Sequence, residues 1–453
     1  MKKKIVLIGG GSYNWTPKLA RDLFVRQGLA GSELVLVDID PEALALLERY
    51  CTELAAKCGT GWSVRAAELD DALEDAEFVC ISISTGDVEA MHLDYTIPEE
   101  FGVYHTVADT VGPGGISRTL RNVPVFLEIA RRMERLCPDA WLVHVTNPLN
   151  QLTQAVAQET SIKVAGLCHN YAGTASFLAA YFGVEPEDIE AVSVGVNHGS
   201  WLKGLTVKGR QVDPSELTVE KYLRFELEKK GAIETNTADD DIEAMFDEDQ
   251  SLGFLLGVEL FQQLGYFPVG SAPHVAENFP YYLNSQETID RHRIRRKGVL
   301  PVRRDGKNRK KQEIIDQLEG RAEWPELKPS AEGLSIAAES LRTGVPSRVM
   351  ATMANGGQVS NLQKGTPVET WASVDRNGLH PITSGPVPTS LLGLIQSVST
   401  EIELAVEAAI RGDRQLVEQA LYVSPMLADK DCAADLADRL LEAQRQYLPQ
   451  FDF

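Results

Sequence analysis

Short, unbroken apolar runs alternate with amphipathic stretches through the first 200 residues, and this pattern constrains the fold more than any other feature. "KIVLIG" at 4–9, "SELVLVDID" at 32–40, "EFVCISIS" at 77–84 and "AWLVHVTNP" at 140–148 are too short for core helices and show no polar alternation. Such runs read as strands buried on both faces, which occur in parallel sheets covered by helices on either side. The intervening segments fit crossover helices: "GGGSYNWTPKLARDLFVRQ", "PEALALLERYCTELAAKCG" with Pro in its first turn, and "SRTLRNVPVFLEIARRMERLC". "VAGLCHN" at 164–170 and "IEAVSVGVNH" at 189–198 are read as later strands of the same sheet. An α/β doubly wound parallel sheet follows.

Ligands in such sheets bind beyond the carboxyl ends of the strands. Gly10, Asp38, Ser84, Asn147, Cys168 and His198 are all placed there by this reading. Past about residue 200 the alternation stops. Residues 212–250 are acidic and read as helical, and "VSTEIELAVEAAIRGDRQLVEQALYV" at 398–423 is strongly helical. The division expected is a Rossmann-like nucleotide-binding domain over 1–200 and a mixed α+β domain over 201–453, carrying catalysis and oligomerisation. A chain of 453 residues, 43% hydrophobic, buries a large core.

Several partner classes are disfavoured. A net charge of −21 opposes binding to nucleic acid. No apolar run of membrane-spanning length occurs. "MKKKIVLIGG" is basic then apolar, but the run turns at once into glycines, so it reads as a first strand and not as a signal peptide. Six cysteines without a CxxC pair read as reduced thiols, hence a cytoplasmic protein. Residues 291–311 hold 11 Lys or Arg. They form either a solvated or covered arm, or a loop that attracts an anionic sugar.

"IGGGSYNWTP" departs from the usual GxGxxG spacing but supplies its physics. Gly9, Gly10, Gly11 and Ser12 follow a strand and precede a helix N-terminus, so backbone N–H groups can approach a pyrophosphate. Asp38, 27 residues after Gly11, stands where a carboxylate accepts from ribose hydroxyls, which favours NAD over NADP. Ser84 joins this cofactor set. Cys168 and His198, 30 residues apart, offer a thiolate and an imidazole for a divalent transition metal; from spacing alone, a buried Cys and a capping His are the safer reading. Asn147 adds a polar group at the same edge, or is a plain Asn-Pro turn. A lactate- or malate-like dehydrogenase and a non-catalytic dinucleotide sensor share this much of the pattern.

Ten ordered segments go further. "IVLIGGGS", "LVDID", "VADTVGPGGISRTLRNVP", "VTNPLNQLT", "GLCHN", "GVNHGSW", "LGYFPVGSAPHVAENFP", "MANGGQVSNLQKGTPVE", "VDRNGLHPI" and "ELAVEAAIRGDRQLVEQAL" resemble glycoside hydrolase family 4, the NAD- and manganese-dependent glycosidases, over nearly the whole chain. The resemblance implies that Cys168 and His198 hold Mn2+, that NAD+ is the second cofactor, and that Asn147 and Asn170 bind the substrate. It implies a reaction unlike two-carboxylate glycoside hydrolysis. Hydride leaves C3 of the sugar for NAD+, the C3 ketone acidifies the C2 proton, a base removes it, the aglycone is eliminated, water adds at C1 and the hydride returns. Asp109, His274, Tyr281 and Tyr282 are candidates for the base, because "ENFPYYL" departs from the Tyr-bearing stretch of phosphosugar members. His169 and His274 match members that act on unphosphorylated sugars. Asn170 departs from the Ser, Gly or Glu of the glucosidase and galactosidase, glucuronidase and galacturonidase branches, whereas residues 81–110 look closest to the α-galacturonidases. The implied enzyme is an α-glycosidase of free hexosides or hexuronides, with a 6-phosphoglycosidase as the alternative within the family. Its implied partners are a small glycoside and further copies of itself, as a homodimer or homotetramer.

Overall fold

A computed structural model describes residues 3–231, 245, 252–296, 300–330 and 332–453. Its main sheet has nine strands. Six come from the first half: β1 (Lys4–Ile8), β2 (Glu33–Val37), β3 (Ser63–Ala66), β4 (Phe78–Ile81), β5 (Trp141–His144) and β6 (Lys163–Gly166). They are parallel, in the order β3-β2-β1-β4-β5-β6. That is the Rossmann-type doubly wound order, whose switch point lies between β1 and β4.

The apolar runs are continuous because successive residues face two separate cores. Val6 and Ile8 of β1, Val35 and Val37 of β2, and Val79 and Ile81 of β4 enter one core. Ile5 and Leu7, Leu34 and Leu36, and Phe78 and Cys80 enter the other. Truncating any of the large aliphatic residues to Ala costs about 2–5 kcal/mol. The crossover helices are punctuated as their sequences require. Pro41–Cys58 starts at Asp40, whose Oδ1 accepts from the N–H of Glu42 and Ala43, both at 3.1 Å. It ends at Gly59 with φ 67°, the left-handed cap that glycine adopts without strain.

Gly112–Leu136 begins five residues before the helix read from sequence at 117. Its glycine-rich first turn permits close contact: a Cβ on Gly115 would meet the Thr110 carbonyl carbon at 2.4 Å, and one on Gly114 the Asp94 carbonyl oxygen at 2.7 Å.

One expectation about the later strands is corrected. Residues 189–198 do not continue the parallel sheet. Strand β7 (Ile189–Val196) pairs antiparallel with β8 (Gly199–Val207) in a second, four-stranded sheet with β9 (Arg210–Gln211) and β10 (Phe267–Pro268). A two-residue connection that pairs Val196 with Gly199 is a hairpin, which parallel strands cannot use. In place of β7, the main sheet is extended by β11 (Ser347–Ala354), β12 (Pro367–Asp375) and β13 (Gly378–Pro381), with β11 antiparallel to β6. The proposed division at residue 200 is therefore one of chain order and not of the sheet. Of the acidic stretch 212–250, the described part contains the helix Val219–Lys229, and 232–244 and 246–250 lie outside the described residues. The C-terminal stretch forms Thr389–Arg411 and Arg414–Val423, broken at Gly412 (φ 66°) and restarted by the cap of Asp413. No described helix is long and apolar enough to cross a membrane.

Candidate active site

Asp109, Asn147, Cys168, His198 and His274 meet beyond the ends of β5 and β6, each brought by a different element. Asp109 and Thr110 sit on the loop before Gly112–Leu136. The buried carboxylate of Glu277 holds that loop, its Oε1 accepting from the N–H of Thr106, Val107 and Ala108 at 2.7–2.8 Å and from His105 Nδ1 at 3.0 Å. Its pKa is lowered although burial alone would raise it, because His105 and these donors favour the charged form. Ala108 is thereby held at φ 59°, a left-handed conformation uncommon for a residue with a side chain.

His198 occupies the β7–β8 hairpin, also left-handed at φ 65°. The hydrogen bonds around it fix its tautomer. Thr110 donates its one hydroxyl proton to Asp109 Oδ1 at 2.7 Å, so the 2.7 Å contact between Thr110 Oγ1 and His198 Nδ1 has Nδ1–H as donor. Nε2 is then the unprotonated nitrogen, and it faces Cys168 Sγ at 3.6 Å. Burial, with the neighbouring His274, pushes His198 down to about 3, so the ring is neutral. Burial pushes the Cys168 thiol up to about 12, with Glu369 adding to the effect. Asp109 is the opposite case: burial favours its neutral form, but His198, His274 and Arg118 hold it well below the usual carboxylate range. The ligand-type atoms of Asp109, His198 and His274 lie within 4.8 Å of one another, and the rings of His198 and His274 are 4.3 Å apart. A thiol facing an imidazole lone pair, with a carboxylate and a second imidazole beside them, suits a divalent transition metal, which would displace the thiol proton on binding. The bond from Thr110 is the kind of support that fixes a ligating His.

Two amides flank this cluster. Asn147 donates from Nδ2 to Asp109 Oδ2 at 3.0 Å. Asn170, 8% exposed, begins the helix Asn170–Phe182, and its Nδ2 is buried without a hydrogen-bond partner, close to Gly270. A groove of about 890 Å³ lined by Tyr171, Arg348 and Trp371 touches this cluster only at Cys168; Asp109, Asn147, Asn170, His198 and His274 do not line it.

The glycine turn lies at the switch point. Gly9 has φ 89°, and a Cβ there would strike the Ser82 carbonyl oxygen at 2.0 Å. A Cβ on Gly11 would stand 2.7 Å from Asp38 Oδ2, which accepts from the Gly11 N–H at the same distance. The turn is thus bare of side chains where a dinucleotide would pass, and Asp38 stands at its edge. Beside it Ile39 is fully exposed, an apolar surface suited to the face of an adenine.

Family models for this architecture match most of the chain: the family 4 glycosyl hydrolase model over residues 4–184 and its C-terminal domain over 193–427. The chain belongs to family 4 of the glycosyl hydrolases. It is similar to an alpha-galacturonidase of Thermoanaerobacter italicus, 30% identical over 98% of this chain and 97% of the relative. An alpha-galactosidase of Bacillus subtilis is 29% identical over 99% of this chain and 100% of its own length. The fold matches a 6-phospho-alpha-glucosidase from gut microorganisms, solved with NAD and Mn2+, at a TM-score of 0.80 and 19% identity over 100% of both chains.

Other residues of this family 4 chain named from its sequence lie nearer the rim. His169 is half-exposed, its Nδ1 3.7 Å from Glu332 and its ring 6.2 Å from that of Trp15. Tyr281 is 65% exposed with its ring against Phe279, and Tyr282 packs on His292. Ser84 accepts from Arg118 Nη2 at 3.2 Å. Thr110, Glu277 and Arg118 escaped the sequence reading. Each follows or precedes a motif residue by a few positions, but the contacts that give it a role span 88, 171 and 29 residues.

Proposed function

We propose that the chain is an α-glycosidase of unphosphorylated hexosides or hexuronides, working with NAD+ and Mn2+ through oxidation, elimination, addition and reduction. The observation that carries this reading is the Asp109–Thr110–His198 chain, which turns the free Nε2 of a neutral imidazole toward Cys168. Its relatives' names, alpha-galacturonidase and alpha-galactosidase, supply the substrate class, and NAD and Mn2+ accompany a neighbour of the same fold. His169, where phosphosugar members carry Asp or Asn, argues against a 6-phosphate.

Bound NAD+ would supply a hydride acceptor, and a bound divalent metal would supply Lewis-acid polarisation of sugar oxygens. This chain's residues do the rest. Cys168 and His198 hold the metal, with Asp109 and His274 beside them. Gly9, Gly10, Gly11 and Ser12 cradle the pyrophosphate, Asp38 takes the ribose hydroxyls, and Ser84 stands on the same edge. Asn147 and the uncommitted amide of Asn170 orient sugar hydroxyls. Asp109 already accepts on both oxygens, from Thr110 and Asn147, so it serves to position His198 and Asn147. His274 is then the favoured carrier of the C2 proton, ahead of the exposed Tyr281. A cytoplasmic location and a homodimer or homotetramer belong to the same proposal; six free thiols support the former.

A panel of p-nitrophenyl α-glycosides with Mn2+, a reductant and a catalytic amount of NAD+ tests it. Cleavage of an α-galacturonide, α-galactoside or related free hexoside without net NADH is expected. Stoichiometric NADH would mean an ordinary dehydrogenase, and a strict requirement for 6-phosphoglycosides would overturn the substrate assignment.

A further inference from the structure

Two arginines of the helix Gly112–Leu136, Arg118 and Arg121, are buried one turn apart in unlike company. Arg121 is answered by a carboxylate: Nη1 donates to Asp94 Oδ1 at 2.7 Å and Nη2 pairs with Oδ2. Arg118, 5% exposed, has no carboxylate in hydrogen-bonding reach among the described residues. Its Nε donates to the Asn147 carbonyl oxygen at 2.9 Å and its Nη2 to Ser84 Oγ at 3.2 Å. Its Nη1 is buried and donates to nothing. A guanidinium keeps its charge under nearly all conditions, and a buried charge without a counter-ion is costly to maintain. Arg118 is also held on two sides by the main chain and the hydroxyl it touches, so its unused donor has a fixed direction.

A second cation stands close by. The helix Leu300–Leu318 brings much of the basic stretch 291–311 across to the first half of the chain. Three of its cations meet acids there: Arg304 pairs with Glu89, Lys307 with Asp87 and Lys311 with Glu42, while Arg296 before the helix pairs with Glu99. Arg303 breaks this pattern, its Nε buried with no hydrogen-bond partner. Burial, then the charge of Arg121, push Arg118 down to about 10 against the pull of Asp109 and Asp94, with Arg303 adding a smaller push in the same direction. Among the described residues, part of the stretch is thus a covering arm paired with acids of the first half, and Arg303 Nε is left buried without a partner.

We propose that Arg118, backed by Arg303, is the specificity-determining site for the carboxylate of a hexuronide glycone, which Nη1 of Arg118 receives as a charge-assisted hydrogen bond. The inference rests on the glycosidase reading above and narrows its substrate class. Asn147 links the two, since its carbonyl oxygen accepts from Arg118 while its amide donates to Asp109 of the metal cluster. A carboxylate held at Arg118 is therefore one residue away from the groups that act on the sugar ring. A neutral hydroxymethyl group would accept a single hydrogen bond and leave both charges unmatched.

The test compares p-nitrophenyl α-D-galacturonide and α-D-glucuronide with the matching galactoside and glucoside, in the wild type, R118Q and R303Q, each with NAD+ and Mn2+. Affinity for NAD+ is measured in parallel by calorimetry. The readout is the ratio of kcat/KM on the uronide to that on the neutral sugar, whatever happens to both. We expect the wild type to favour the uronide and R118Q to lower the ratio by about 30-fold or more, the scale of losing one partner of a buried charge pair. R303Q, on a largely exposed helix that tolerates the change, should lower it in the same direction with NAD+ affinity unchanged. An unaltered ratio in both variants overturns the proposal, and if NAD+ binding weakens instead, the oxyanion at Arg118 is a dinucleotide phosphate. A wild type that cleaves none of the four substrates would remove the glycosidase reading itself, before the variants are compared.

Discussion

At the scale of single residues, the site depends on atoms aimed by neighbours. Cys168→Ser replaces a soft thiolate with a hydroxyl that cannot deprotonate near neutral pH, and His198→Ala removes the ring nitrogen that faces Cys168. Each should abolish turnover and manganese binding while leaving the thermal midpoint near that of the wild type. Near-normal turnover of either variant in chelator would contradict the metal role. Thr110→Val is the finer probe. It removes the hydroxyl that accepts from His198 Nδ1 and donates to Asp109 but keeps the shape. A 10–100-fold loss of metal affinity or activity is expected, the usual effect of removing a ligand's hydrogen-bond support, and manganese titration of the variant measures it. Cys168 and His198 were named through the resemblance to family 4 and not through spacing, and the structure brings Cys168 Sγ and His198 Nε2 to 3.6 Å. Thr110 was not named, since nothing in "ADTVGPGG" tells that its partner lies 88 residues on.

At the scale of elements, the helix Thr389–Arg411 reaches the start of Gly112–Leu136 through Glu401, fully buried, whose Oε1 accepts from the Gly112 N–H at 2.7 Å. Burial pushes this carboxyl from 4.5 up to about 7, against the pull of its hydrogen bonds and of His105 and Lys430. The sign follows by linkage. Below the unfolded value both states are protonated; between 4.5 and about 7 the unfolded chain releases the proton and the folded one keeps it. Glu401 therefore subtracts stability as pH rises through that window, by up to about 3 kcal/mol at 1.36 kcal/mol per pKa unit. Glu401→Gln should flatten the fall in thermal midpoint between pH 4.5 and 7, and an unchanged slope would count against it. The parallel strands were readable as elements because each apolar run serves two cores. The run 189–198 misled for the same reason: its residues are as buried as those of the parallel strands at its far end, and only the hairpin turn at Asn197–His198 separates the two cases.

At the scale of the whole molecule, one nine-stranded sheet joins the two halves of the chain, and the metal cluster draws on both. The first half brings the glycine turn, Asp38, Asp109, Asn147, Cys168 and His198; the second brings His274 and the basic helix that carries Arg303. The sequence showed what the first half supplies, because motif and strand end coincide there. In the second half it named His274, Tyr281 and Tyr282 but not Glu277, whose partners at 105–108 are chosen by packing and not by spacing. We propose that this scaffold runs a redox-assisted elimination in place of direct displacement at C1. The isotope at C2 tests it most directly. A p-nitrophenyl α-glycoside deuterated at C2, turned over with catalytic NAD+ and Mn2+ in ordinary water, should yield a sugar that has lost its deuterium to solvent. Full retention of that deuterium in the recovered product would contradict the account.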